Sequence, residues 1–61
     1  MKPRELIRLL ERNGWHEVRQ RGSHRIFKHP EIHDTISVPD HGSRDVPTGT
    51  LNTILKQAGL K

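Results

Sequence analysis

No cysteine occurs anywhere in the 61 residues of this chain, and that constrains its fold more than any motif does. Domains this small bury only a modest fraction of their surface and are correspondingly marginal in stability. Many rely on disulfides or a bound metal to make up the difference. Without cysteine, neither a disulfide framework nor a zinc finger of the usual Cys-containing type is available. The chain is therefore expected to form one domain over residues 1–61 in which every element shares one hydrophobic core. The longest uninterrupted apolar runs are pairs such as Leu6-Ile7 and Leu9-Leu10. These fall far short of a signal-peptide core or of the roughly 20 residues of a membrane span, so a soluble, cytoplasmic protein is expected.

Pro3 suits a first helical position and Glu5 the positive end of a helix dipole, while Leu6, Ile7, Leu9 and Leu10 form an apolar stripe. The pattern predicts a helix over residues 3–13. Asn13-Gly14 is a left-handed stop, and Trp15 just beyond it is expected to fold back into the core. Next, "WHEVRQ" reads as a strand, Arg21-Gly22-Ser23 as a turn, and "HRIFKH" as a second strand returning antiparallel. Ile26 and Phe27 are adjacent and so point to opposite faces, which leaves the face occupied by His24 undecided by periodicity. Pro30 ends this strand, and "TISV", with Ile36 and Val38 on one side, predicts a short third strand before Pro39. After the loop "PDHGSRDVP", Leu51, Ile54, Leu55 and Ala58 fall at i, i+3, i+4 and i+7, the stripe of a second helix, with Gly59 as its stop. The predicted class is α+β in the order α-β-β-β-α. Both helices cover one face of a three-stranded antiparallel sheet, and the other face is left to solvent or ligand.

Eleven Lys and Arg against seven Asp and Glu give a net charge of +4, with five histidines able to add to it. A polyanion is the natural partner of such a chain, although a basic balance also serves solubility alone. Arg4, Arg8 and Arg12 recur at four-residue spacing along the first helix, as a phosphate-contacting ridge or as a solvated face. The densest basic stretch is "RQRGSHRIFKHP", where His24 stands at the mouth of the Gly-Ser turn among Arg19, Arg21, Arg25 and Lys28.

Taken together and in order, "ELIRLLERNGW", "RQRGSHRIFKHP", "ISVPDHG" and "GTLNTILKQAGL" closely resemble the HicA (YcfA-like) toxin family of bacterial toxin–antitoxin systems. The resemblance covers nearly the whole chain. It implies a small double-stranded-RNA-binding-like fold, RNA cleavage as the activity, with messenger RNA the expected substrate, and a HicB-type antitoxin as partner. No cofactor is expected, since the chain has neither Cys nor a carboxylate cluster for a divalent metal. Neither a membrane nor, for this chain alone, DNA is an expected partner. The family's catalytic histidine follows the Gly-Ser turn, so the matching position is His24. Many relatives carry a second histidine immediately after it, where this chain has Arg25, so a pair of catalytic histidines at adjacent positions is not expected. His41, in "VPDHG", matches another frequent family histidine whose role is open.

Histidine suits RNA cleavage because its reference pKa of about 6.5 keeps both protonation states accessible. It can take the 2′-hydroxyl proton as the oxygen attacks the neighbouring phosphate, or protonate the departing 5′-oxygen. His24 is expected to act as that acid, that base, or both. Arg21, Gly22, Ser23, Arg25, Lys28 and His41 are the expected RNA-contacting residues, with Arg25 and Lys28 alternatives for holding the phosphate. A metal site is not expected. His29 and His33 have i, i+4 spacing, but Pro30 between them breaks the helix that spacing needs. Two other classes stay open at this level: a non-catalytic RNA-binding module of the same fold, and a protein-interaction module serving an acidic partner.

Overall fold

The computed structural model describes residues 1–61. It consists of helix α1 (Pro3–Arg12), strands β1 (His16–Arg21), β2 (His24–Lys28) and β3 (Ile36–Pro39), and helix α2 (Thr48–Gln57). The expected α-β-β-β-α order is thus observed. At the start of α1, the Lys2 backbone N–H donates to Glu5 Oε1 at 2.9 Å, satisfying a group the helix itself leaves unpaired. At its end Asn13 serves as the cap, which stops the helix one residue short of the predicted bound. Asn13 Nδ2 donates to the Leu9 carbonyl, and Gly14, at φ 91°, turns the chain so that the Trp15 N–H reaches the Leu10 carbonyl. A Cβ on Gly14 would lie 2.7 Å from His29 Nε2, so this turn excludes a side chain by space as well as by dihedral angle. Trp15 is spent on this reversal and is fully buried, and β1 begins at His16.

The sheet is antiparallel in the order β1-β2-β3, with β2 central. β3 runs one residue past the predicted end, because Pro39 pairs with His24. β3 is an edge strand, where a residue without an N–H is tolerated. β1 and β2 are joined by the two-residue loop Gly22-Ser23. Gly22 has φ 58° and Ser23 a negative φ, the glycine-first arrangement of tight hairpins. The Asp40 N–H donates to the Ser23 carbonyl at 2.6 Å, tying this turn to the end of β3.

The register between β1 and β2 contains a bulge. Glu17 faces Phe27, but Arg19 faces Ile26, so Val18 is an extra residue on β1. In an unbroken strand Arg19 and Arg21 would share a face with Glu17. The bulge transfers both to the opposite face, where Arg21 pairs with His24.

The core gathers Leu6, Ile7 and Leu10 of α1, Trp15, Phe27 of β2, Ile36 and Val38 of β3, Val46 of the following loop, and Ile54 and Ala58 of the α2 end. Both helices therefore cover the sheet face that carries Phe27, Ile36 and Val38. The face carrying His24, Ile26, Lys28 and Ser37 is open.

Candidate active site on the open sheet face

Phe27 settles which side of the sheet His24 occupies. Alternation along β2 puts Arg25 and Phe27 toward the helices and His24, Ile26 and Lys28 outward. His24 is exposed, at the first residue of β2 and directly after the tight turn. Its Nδ1 lies 3.1 Å from the hydroxyl of Ser37, a diagonal neighbour on β3. This contact fixes the ring through one nitrogen and leaves Nε2 free toward solvent. The ring of His41 stands edge-on to it, with centroids 6.3 Å apart and planes at 84°.

Around this histidine the open face is basic. Arg21 sits directly across from His24, Arg19 across from Ile26, and Lys28 two positions further along β2, all exposed. Val18, the exposed extra residue of the bulge, joins Arg19, Ile26, Lys28 and Thr35 in lining a shallow depression on this face. Gly22 and Ser23 form the turn beside the imidazole.

Arg25 has a different position from its neighbours in the expected set. Half-buried on the helix side of the sheet, it donates through Nε (3.0 Å) and Nη2 (2.5 Å) to the two carboxylate oxygens of Glu17, and through Nη1 (3.4 Å) to Asp40. Its guanidinium is therefore committed to carboxylates on the face away from His24. The hydrogen bonds from Arg25 hold Glu17 below its ordinary carboxylate value, and the same bonds raise Arg25 still further. The sign follows directly. A carboxylate lowered in the folded state contributes stability above its unfolded value, near 4.5, and loses it as pH falls through the lower folded value. Thermal unfolding should thus fall off below about pH 4.5. Glu17→Gln should be less stable than the parent at pH 7, and the difference should shrink as the pH falls through this range.

On the helix side, Lys2, Arg4 and Arg8 line a groove with Glu5, Glu11 and the loop residues Gly42 and Ser43. Lys2 Nζ donates to the Ser43 carbonyl and pairs with Asp45 at 3.3 Å. Arg4 and Arg8 thus share a concave surface, which Arg12 does not join. His29 is occupied in the fold. Its Nδ1 accepts the Glu31 N–H at 3.0 Å, which places the ring proton on Nε2, where it donates to the Asn13 carbonyl at 2.9 Å. No group of three or more His, Cys, Asp or Glu side chains is close enough together to hold a metal ion.

Ser37 was not among the expected site residues, although a signal for it was present. In "TISV" it alternates with the buried Ile36 and Val38, so it must point to the open face. The contribution of Arg19 depended on the bulge, for which "HEVRQR" carries no glycine or other marker.

Residues 3–60 match the protein-family model described as the HicA toxin of bacterial toxin–antitoxin systems. No curated protein sequence matches the chain. No helix is long and apolar enough to cross a membrane.

Proposed function

The chain belongs to the HicA toxin family of bacterial toxin–antitoxin systems, and from that premise we propose that it is a metal-independent endoribonuclease cleaving messenger RNA with His24 as a general acid or base. The observation that carries this reading is the placement of His24. It is an exposed imidazole on the open face of the sheet, anchored through Nδ1 to Ser37 and set among Arg19, Arg21 and Lys28. A phosphodiester lying on that face meets three cations that hold its charge and one group able to exchange a proton near neutral pH. The 2′-oxygen attacks the phosphorus, its proton passing to a base. The bond to the 5′-oxygen breaks as that oxygen takes a proton, leaving a 2′,3′-cyclic phosphate and a 5′-hydroxyl. Every group this route needs belongs to the protein or the RNA.

The partner that belongs with this reading is a HicB-type antitoxin that covers the same face. The half-buried Ile26 and the exposed Val18 offer an apolar centre, and the surrounding Arg and Lys side chains suit acidic residues on the partner. Purified antitoxin should protect RNA stoichiometrically and shield residues 21–28 from hydrogen exchange.

The deciding experiment incubates the protein with messenger RNA in excess chelator and identifies the product ends. Cleavage that persists and leaves cyclic phosphate ends supports the reading. Cleavage that stops in chelator and returns with added metal removes the metal-independent route. Salt-dependent binding without cleavage would make the chain a non-catalytic RNA-binding module instead.

A further inference from the structure

We propose that His41 is the second catalytic histidine, so that His24 and His41 work as a base and an acid on opposite sides of one phosphate. The inference rests on the nuclease reading and adds a residue and a division of labour to it. In-line transfer puts the attacking 2′-oxygen and the departing 5′-oxygen at opposite apices of the reacting phosphorus. A single imidazole cannot contact both oxygens in one step. Two imidazoles can, provided that they are neighbours whose ring nitrogens reach different oxygens of a phosphate lying against both.

The structure places two such imidazoles side by side on the open face. The rings of His24 and His41 are 6.3 Å apart, centroid to centroid, and set edge to face at 84°, so they are neither stacked nor hydrogen-bonded to each other. A catalytic proton transfer operates over about 2.6–3.2 Å between heavy atoms. Rings this close bring a nitrogen from each within such a reach of one phosphate laid over the pair. Both rings are exposed, and Ser37 occupies only Nδ1 of His24. The loop that carries His41 is anchored immediately before it, where the Asp40 N–H bonds to the Ser23 carbonyl beside His24. The same hydrogen bond therefore ties both rings to one turn.

Strand geometry explains why the second histidine comes from a loop. Residue 25 follows His24 on β2, so its side chain projects to the helix side, where Arg25 binds Glu17 and Asp40. A side chain there has its back to the open face. His41 is 17 residues away in sequence, yet it stands on the same side of the sheet as His24. The other groups facing the pair are Arg21 from β1 and Ser37 from β3, while the carboxylate of Asp40 is turned to Arg25. The chemistry balances without a further reagent. One histidine accepts the 2′-hydroxyl proton as the O2′–P bond forms, the other gives its proton to the 5′-oxygen as the P–O5′ bond breaks, and the two exchange protons with water before the next turnover.

The test compares the parent protein with His24→Ala, His41→Ala and the double variant on two RNA oligonucleotides of one sequence. One is natural, and the other carries sulfur in place of the bridging 5′-oxygen, a leaving group that needs no acid. For the parent, kcat on natural RNA should follow a bell-shaped pH profile. His41→Ala should lower kcat by about 10²-fold or more with little change in KM, and should remove one limb of the bell. The double variant should be no worse than the slower single one, as for groups acting as a unit. One of the single variants, and only one, should recover on the sulfur substrate, which identifies the acid.

Natural cleavage by His41→Ala within a few-fold of the parent, with the bell intact, would overturn the proposal. So would a rise in KM at unchanged kcat, or failure of both single variants to recover on the sulfur substrate. A parent protein that does not cleave natural RNA would instead overturn the nuclease reading. Thermal unfolding of each variant checks that the exposed substitutions leave the fold intact.

Discussion

Replacing His24 by alanine is expected to lower the rate of RNA cleavage by about 10²- to 10⁴-fold, the usual contribution of a positioned acid or base. The effect should fall on the chemical step and leave other properties nearly unchanged. His24 is exposed and makes one side-chain hydrogen bond, to the Ser37 hydroxyl, whose loss costs at most about 1 kcal/mol because both partners can turn to water. The backbone pairs of β2 with Arg21 and Pro39 do not depend on the imidazole. In the proposed reading RNA is held mainly by Arg19, Arg21 and Lys28, which share the open face with His24, so affinity and its dependence on salt should survive the substitution. Changing those three residues should give the reverse pattern, weaker binding with a shallower salt slope and a smaller effect on kcat. Cleavage by His24→Ala at a rate comparable to the parent would remove this residue from the mechanism.

Local features in this chain carry local information, and the candidate site is assembled from features that are not local. The stripe Leu6-Ile7-Leu10, the Asn13-Gly14 stop, the Gly22-Ser23 turn and the i, i+3, i+4, i+7 pattern of α2 each act within a few residues, and each stands where the sequence puts it. The position of His24 at the end of a tight turn was legible for a similar reason, since that turn lies beside it in the chain, while its candidacy as a site residue came from the family resemblance. Its face was not, because Ile26 and Phe27 are equally apolar and only packing against two distant helices decides that Phe27 goes inward. Arg25 follows from that decision. A charge adjacent to His24 in sequence lies on the other side of the sheet, where Glu17 and Asp40 receive it. Arg19 reaches the open face through a bulge that shifts the register by one, and Ser37 and His41 arrive through the pairing of β2 with β3. Spacing along the chain does not encode such cross-strand neighbours.

The choice of face also underlies the largest expected loss of stability. Phe27 is completely buried on the central strand, between Glu17 of β1 and Ile36 of β3 in the register, and belongs to the cluster that joins both helices to the sheet. Phe27→Ala should cost about 3–5 kcal/mol, combining the lost transfer energy of the ring with the cavity left behind. A chain of this length has roughly 3–9 kcal/mol in total, at 0.05–0.15 kcal/mol per residue. The variant should therefore be largely unfolded at physiological temperature, with far-ultraviolet circular dichroism and RNA cleavage lost together. Phe27→Leu, which keeps most of the apolar volume, should stay folded and active with a lower denaturation midpoint. A partner that binds only the folded state should pull Phe27→Ala back toward it, so co-expression with the antitoxin should restore the variant to soluble complex. The contrast with His24→Ala tests the geometry of β2 as a whole. One substitution should remove activity from a folded protein, and the other, three residues along and on the opposite face, should remove the fold itself. A Phe27→Ala protein with the parent's denaturation midpoint would mean that Phe27 lies outside the core. Alternation would then turn His24 toward the helices, away from any RNA on the open face.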